Sequence, residues 1–516
     1  MAKAATRKGG ILALTCLVQL MVVLDVAIVN VALPSIQRDL SLAQGTLQWL
    51  VISYALTLGG FLLLGGRMAD LIGRRRVLMS GLVLFSGASL AAGLAKSAGL
   101  IIAARGVQGF GAALMAPAAL SILAVTFAEG PERNRALGIF GAVGGTSASI
   151  GVIASGLLTD GPGWRWVFFI NVPVGIGLLA LAPLLLAADE PRIRGRRFDV
   201  AGATTVTAGL LVLVYALNRG ADYGWAAAST LSLFLGAAAL LALFVVAEAR
   251  AAEPLVPATL LRSRTVLAAN SMAFFVFGSI FSFIFLGSLL MQQLLAYSPT
   301  KTGVSWLATT LTGFVVAAVT GARLAATIGV RKLLITGMAL LAVSAGWLWR
   351  IPAHASYATD LLPAFLLTGS AIGLCAVSVQ IAALSGVATR SAGLASGLVE
   401  TMREIGGAVG VAAVSTVLIT HTRQAREPAT PAALHSAVLD GFHAGFLVIF
   451  ALAAVGGILA TAGYPRHRPA APTRRRAERM TGSPRPAGGT AAGNPGPGPG
   501  REPGGRRGPR NMTRQR

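Results

Sequence analysis

Acidic residues are scarce in this chain. Its 516 residues hold 19 Asp and Glu against 43 Lys and Arg, and only 12% of the sequence is charged while 54% is hydrophobic. Mean hydropathy is +0.71, far above that of soluble globular domains, so an integral membrane protein is expected. The net charge of +24 would suggest nucleic acid in a soluble chain. Here the basic residues lie in short loops and a tail between apolar segments, where the positive-inside rule accounts for them, and no nucleic-acid partner is expected. Cysteine is nearly absent: Cys16 and Cys375 lie in separate apolar stretches and build neither a disulfide framework nor a metal cluster. His421, His435 and His443 show no ligand spacing, so no metal is expected. No Gly-x-x-x-x-Gly-Lys-Ser/Thr phosphate loop occurs, which disfavours ATP as an energy source. The acidic or His-rich cluster that a membrane enzyme would need at one membrane face is missing too.

What is present is length without charge. A span needs about 20 apolar residues, and fourteen such stretches occur, near residues 11–33, 47–66, 77–96, 99–127, 136–159, 166–188, 199–217, 227–248, 266–292, 303–325, 331–350, 360–385, 394–420 and 442–463. Lys3, Arg7 and Lys8 precede the first, as in a secretory signal, but that run is too long and lacks a cleavage site, so it is expected to remain as a span. Loop charge checks the count. Lys3, Arg7, Lys8, Arg67, Arg74, Arg75, Arg76, Arg133, Arg135, Arg192, Arg194, Arg196, Arg197, Arg250, Arg262, Arg264, Arg323, Arg331, Lys332 and Arg390 fall on one side. Single charges such as Arg38, Lys96, Arg219, Lys301 and Arg350 fall on the other. Both termini are therefore expected in the cytoplasm of a bacterial cell. From residue 464 onward the chain is rich in Gly, Pro and Arg and is expected to be a disordered basic tail.

Asp25 sits alone in the first span, within Leu24-Asp25-Val26-Ala27-Ile28-Val29-Asn30. A carboxylate at such depth costs roughly 2.5–3.5 kcal/mol on insertion scales, and packing gives no reason for it. In span 4, Arg105 precedes Gln108 by one turn, and an intramembrane Arg must face a partner or water. Asp25 lies roughly 12 Å from the outer end of span 1 and Arg105 roughly 9 Å from that of span 4, so the two can meet directly or through water. One isolated acid and one isolated base at similar depth point to a proton-coupling pair. In span 13, Glu400, Arg403 and Glu404 share one helix face at spacings of three and four. Internal pairing explains them; so does a second proton site or a site for cationic substrate.

Between spans 2 and 3 runs Gly66-Arg67-Met68-Ala69-Asp70-Leu71-Ile72-Gly73-Arg74-Arg75-Arg76. Its glycines permit a reversal and its Asp can cap a helix or pair with Arg. This stretch resembles the signature loop of the major facilitator superfamily, and Arg105-Gly106-Val107-Gln108-Gly109 resembles that superfamily's second signature. Trp164 to Gly175, the run from Leu24 to Pro34, Tyr297-Ser298-Pro299 with Gly303, and Arg403 with Gly406-Gly407 are similar to its fourteen-span drug:proton antiporter group. Span 5 carries Ser147, Gly151, Val152, Ser155 and Gly156 where antiporters of the superfamily have Gly-x-x-x-Gly-Pro-x-x-Gly-Gly. Small residues at this spacing also serve close helix packing.

The resemblance implies an all-α membrane protein of fourteen transmembrane helices. Two six-helix bundles, 11–190 and 264–464, would flank two inserted helices at 198–250, with a cytoplasmic N-terminus at 1–10 and a tail at 465–516. It also implies proton-coupled efflux of drugs or antibiotics by alternating access, with no cofactor beyond the proton gradient. The molecule is expected to be monomeric in the lipid bilayer. Asp25 and Arg105 would couple protons, and Glu400, Arg403, Glu404, Gln108 and Asn30 would line the substrate cavity or form a second proton site. Gly66, Asp70, Gly73 and Arg74 would form the cytoplasmic gate, and Gly151, Ser155 and Gly156 would pack span 5. The alternative is a proton-driven transporter of another small metabolite, an importer included.

Overall fold

In lipid a backbone must satisfy its own amides, and an apolar chain punctuated by Ser, Pro and Gly does so as helices. The computed structural model describes residues 2–42, 44–189, 199–225, 227–251, 254–257, 260, 263–424 and 431–463; of Asn30 and Gly156 only the backbone is described. The long helices are α1 (Ala2–Asp39), α2 (Gln44–Ile72), α3 (Arg74–Gly93), α4 (Ala98–Thr126), α5 (Pro131–Asp160), α6 (Asn171–Leu185) and α7 (Val200–Tyr223). They continue as α8 (Ala228–Arg250), α9 (Arg264–Leu289), α10 (Leu307–Val319), α11 (Val330–Leu348), α12 (Leu362–Leu384), α13 (Ala392–Gln424) and α14 (Pro431–Gly463). Each stands on one expected span. Among the described residues thirteen helical segments are long and apolar enough to cross a membrane, and α5, with 30 residues, occupies the remaining position. The expected segment 1–10 is continuous with α1 from Ala2 on. The tail and Arg192, Arg194, Arg196 and Arg197 lie outside the described residues.

Helix starts follow local chemistry. The hydroxyls of Ser97, Ser263 and Ser298 accept amide hydrogens at the starts of α4, α9 and the short helix Pro299–Ser305, and the Asp199 carboxylate does so at α7, each satisfying an otherwise orphaned donor.

The two six-helix halves repeat one packing scheme. In the first, α1 packs on α5, α2 on α4, and α3 on α4 and α6; in the second, α9 packs on α13, α10 on α12, and α11 on α12 and α14. Such internal repetition is common in secondary transporters. The halves meet along two seams, α2 with α13 and α5 with α10, while the inserted α7 packs on α8 and leans on both α2 and α13. At the end bearing the N-terminus both seams close on glycine. A Cβ at Gly66 would stand 3.0 Å from Gly397 Cα, and one at Gly138 would stand 2.8 Å from Gly321 Cα. Only residues without side chains allow backbones this near.

Candidate functional site

Asp25 is fully buried in α1, and its carboxylate gathers donors from three places. Arg105 Nη1 of α4 stands 2.5 Å from Oδ2. Gln108 Nε2 and Asn171 Nδ2 donate to Oδ1 at 2.7 and 3.0 Å. Arg105 also donates to Gln108 Oε1 at 2.9 Å and to the Leu50 carbonyl at 3.1 Å. Its guanidinium lies 4.2 Å from the Tyr54 ring centroid, a cation–π contact. Ser89 Oγ accepts from Gln108 and Asn171 and donates to the Phe168 carbonyl. Asp25, Arg105, Gln108, Asn171 and Ser89 thus each have hydrogen-bond partners, as a buried ion pair requires. Removing one member of such a pair costs about 3–5 kcal/mol, because the charge left behind is buried without its counter-ion.

Beside this network α5 presses on α1. A Cβ at Gly151 would stand 2.7 Å from Ala27 Cβ, and Ser155 Oγ donates to the Ile28 carbonyl at 2.7 Å. The small residues of span 5 therefore hold α5 against the helix that carries Asp25.

The signature loop forms a second polar cluster. Asp70 accepts from the backbone amides of Gly393 and Leu394 at 2.9 and 2.8 Å, capping the start of α13 in the other half. Arg74 pairs with Asp70 at 3.2 Å, donates to Ser121 Oγ at 2.6 Å, and donates across the seam to the Thr389 carbonyl. Gly73 has φ +118°, and the space a side chain would need there holds the Asp189 carboxylate, which accepts from the Arg75 and Arg76 amides. The cluster locks the two halves together at the terminus-bearing end.

The third cluster lies on α13. Arg403 Nη1 stands 2.5 Å from Glu400 Oε2, and Arg403 Nη2 stands 2.9 Å from Glu404 Oε1. Between the halves is a cavity of about 80 Å³ lined by Val26, Val51, Tyr54, Leu58, Arg105 and Glu404, among others. It brings the Asp25–Arg105 cluster and the Glu404 cluster to one space.

Of the residues picked out in the sequence, Asp25, Arg105 and Gln108 form one network, Glu400, Arg403 and Glu404 a second, and Gly66, Asp70, Gly73 and Arg74 a third. Gln108, one of the candidates for the cavity or a second proton site, donates to Asp25. The side chain of Asn30 and the surroundings of Gly156 are outside the described residues. Sequence reasoning passed over Asn171, Ser89 and Tyr54. Asn171 carried a usable signal, since a lone amide in an apolar span asks for a partner just as Asp25 does.

Two repeated six-helix halves, two inserted helices and a small cavity between the halves define a multi-span membrane transporter. The chain belongs to the major facilitator superfamily: the family profile described as Major Facilitator Superfamily matches residues 15–411 and 269–503. It is 37% identical to the puromycin resistance protein pur8 of Streptomyces alboniger, over 86% of this chain and 88% of that one. It is 36% identical to the cephamycin export protein CmcT of Amycolatopsis lactamdurans, over 87% and 92% of the two chains. To the lincomycin resistance protein of Streptomyces lincolnensis it is 34% identical, over 84% and 89%. Among solved structures, the proton:xylose symporter XylE shares the fold with a TM-score of 0.62 at 14% identity, over 89% of this chain and 96% of that one.

Proposed function

We propose that the protein exports antibiotics or related small drugs across a bacterial cytoplasmic membrane in exchange for protons, as a monomer with both termini in the cytoplasm. The observation that carries this reading is the fully buried Asp25–Arg105 pair beside a cavity shared with the second half. The printed names of the relatives, two for antibiotic resistance and one for export, support the substrate class and the direction. The basic loops at the terminus-bearing end support the orientation.

The cavity of about 80 Å³ is far smaller than the roughly 300–1,000 Å³ of sites that hold drug-sized ligands. With the Asp70 lock closed, the proposed cycle begins as a proton reaches Asp25 from the outer side. Protonation cancels the negative member of the pair, so Arg105 keeps only neutral acceptors, Gln108 Oε1 and the Leu50 carbonyl, and its hold on α1 weakens. Gln108, Asn171 and Ser89 keep the carboxyl in place throughout. The seam then opens inward, the proton leaves, and substrate occupies the space between the halves for the outward journey. In this cycle no chemical bond of the substrate changes.

The test is transport in everted vesicles under an imposed pH gradient. Wild-type protein is expected to accumulate drug only while the gradient stands, and Asp25→Asn, expressed at the wild-type level, is expected to lose that uptake. Full gradient-driven uptake by Asp25→Asn would overturn the reading.

A further inference from the structure

One cation on the lightly charged side of the membrane has no counter-ion. Arg350 is among the single basic residues that fall opposite the Arg-rich loops, where the positive-inside rule gives no reason for it. It follows α11 at the end remote from the N-terminus, and it is exposed. Among the described residues no ion pair or hydrogen bond engages its guanidinium, and its one contact of this kind is with the neighbouring Trp349 ring, at 5.6 Å from the centroid. Beside it opens a cavity of about 450 Å³, lined by Val343, Gly346, Trp347, Arg350 and Asp360, among others. It is several times larger than the one between the halves and falls within the roughly 300–1,000 Å³ of sites that hold small ligands.

The lining sorts by chemistry along α11. Gly346, Trp347 and Arg350 follow Val343 at spacings of three, four and seven, which is one face of a helix, so an apolar track about 10 Å long leads from Val343 to the guanidinium. Val343 and Trp347 are 56% and 50% exposed, so the track faces the bilayer rather than another helix. Trp347 Nε1 donates to the Asp360 carbonyl at 3.0 Å, which fixes an indole at the depth of the membrane–water boundary, where Trp is favoured. Asp360 lies in the turn that starts α12. Its Oδ2 accepts from the Ser356 amide at 2.7 Å and from the Thr359 hydroxyl at 2.9 Å. Among the described residues its Oδ1 accepts nothing, and no ion pair joins Asp360 to Arg350.

A ligand suited to these walls carries an apolar chain, an anionic group for Arg350 and a cationic group for Asp360. We propose that the cavity holds a zwitterionic aminophospholipid of the leaflet remote from the N-terminus. Its phosphate meets Arg350, its ammonium meets Oδ1 of Asp360, and an acyl chain follows Trp347, Gly346 and Val343. An anionic lipid without an amine satisfies Arg350 but sets its charge against Asp360. A soluble phosphoethanolamine leaves the apolar track bare. The bound lipid ties the end of α11 to the start of α12. This site stands apart from the export reading, because it lies on the lipid-facing side of α11 and not between the halves.

The experiment is native mass spectrometry of the purified full-length protein in detergent, titrated with phosphatidylethanolamine or phosphatidylglycerol of identical acyl chains. Wild-type protein is expected to bind phosphatidylethanolamine roughly fivefold more tightly than phosphatidylglycerol. In Asp360→Asn, which keeps an acceptor for the Ser356 amide, that preference is expected to fall to within roughly twofold. Arg350→Gln is expected to weaken both lipids by roughly threefold or more. Since the Arg350 side chain is exposed and holds no other element in place, this variant reads binding without disturbing folding, and unchanged melting in lipid-free detergent checks that. Equal wild-type affinity for the two lipids, an undiminished preference in Asp360→Asn, or undiminished lipid binding in Arg350→Gln would overturn the proposal. So would displacement of the lipid by an equal concentration of glycerophosphoethanolamine, which would assign the cavity to a soluble headgroup.

Discussion

At the scale of single residues, the acid and base of the first half behave as a pair because every other group around them has been recruited to hold them. Asn171 gives Asp25 a donor at 3.0 Å and shares Ser89 with Gln108. Asn171→Leu is therefore expected to leave the carboxylate short of one partner, destabilising the protein by about 1–3 kcal/mol and slowing efflux in vesicles. Thermal melting in detergent and initial rates check both. Asp39, beyond the first span, is different. Hydrogen bonds from Arg165 and then Trp164 hold its carboxyl below the usual Asp range. Its folded pKa is depressed, so the link it makes is intact at neutral pH and is lost only as pH falls through that lowered value. Trp164 fluorescence should accordingly stay constant from neutral to mildly acid pH in the wild type, and Asp39→Asn should remove any change at lower pH. Asp25 and Arg105 were legible in the sequence because a charge in an apolar run has few explanations. Ser89 was not, because a hydroxyl in a helix can satisfy itself on its own backbone.

At the scale of the element, the signature loop works by ending one helix and starting another in the opposite half. Asp70 holds two amides of α13, and hydrogen bonds to a charged group contribute about 1.5–3 kcal/mol each. Asp70→Asn is expected to slow turnover roughly tenfold, about 1.4 kcal/mol, while drug affinity changes little; efflux rates compared with equilibrium binding separate the two. Gly151→Val should be more severe, since a side chain there meets Ala27 and pushes α5 off the helix that carries Asp25. Loss of efflux with normal membrane insertion is the expected result. The spacing of Gly66, Asp70 and Gly73 showed that this loop mattered. It did not show that the partner of Asp70 lies more than three hundred positions along the chain, because only folding brings α13 to the end of α2.

At the scale of the whole molecule, the fourteen helices were readable from hydropathy and loop charge, which are local properties. The seams were not, since an apolar helix presents similar surfaces all round and lipid competes with every neighbour. The inserted pair is the clearest case. Nothing in the composition of α7 announces that it leans on α2 and α13 at once, with Trp225 donating to Thr416 of α13 near its far end. Trp225→Phe removes that link. It is expected to lower the melting temperature slightly, measured by thermal melting in detergent. With α7 laid along the α2–α13 seam, among the described residues neither inserted helix packs on the α5–α10 seam, so the two seams between the halves meet the bilayer differently.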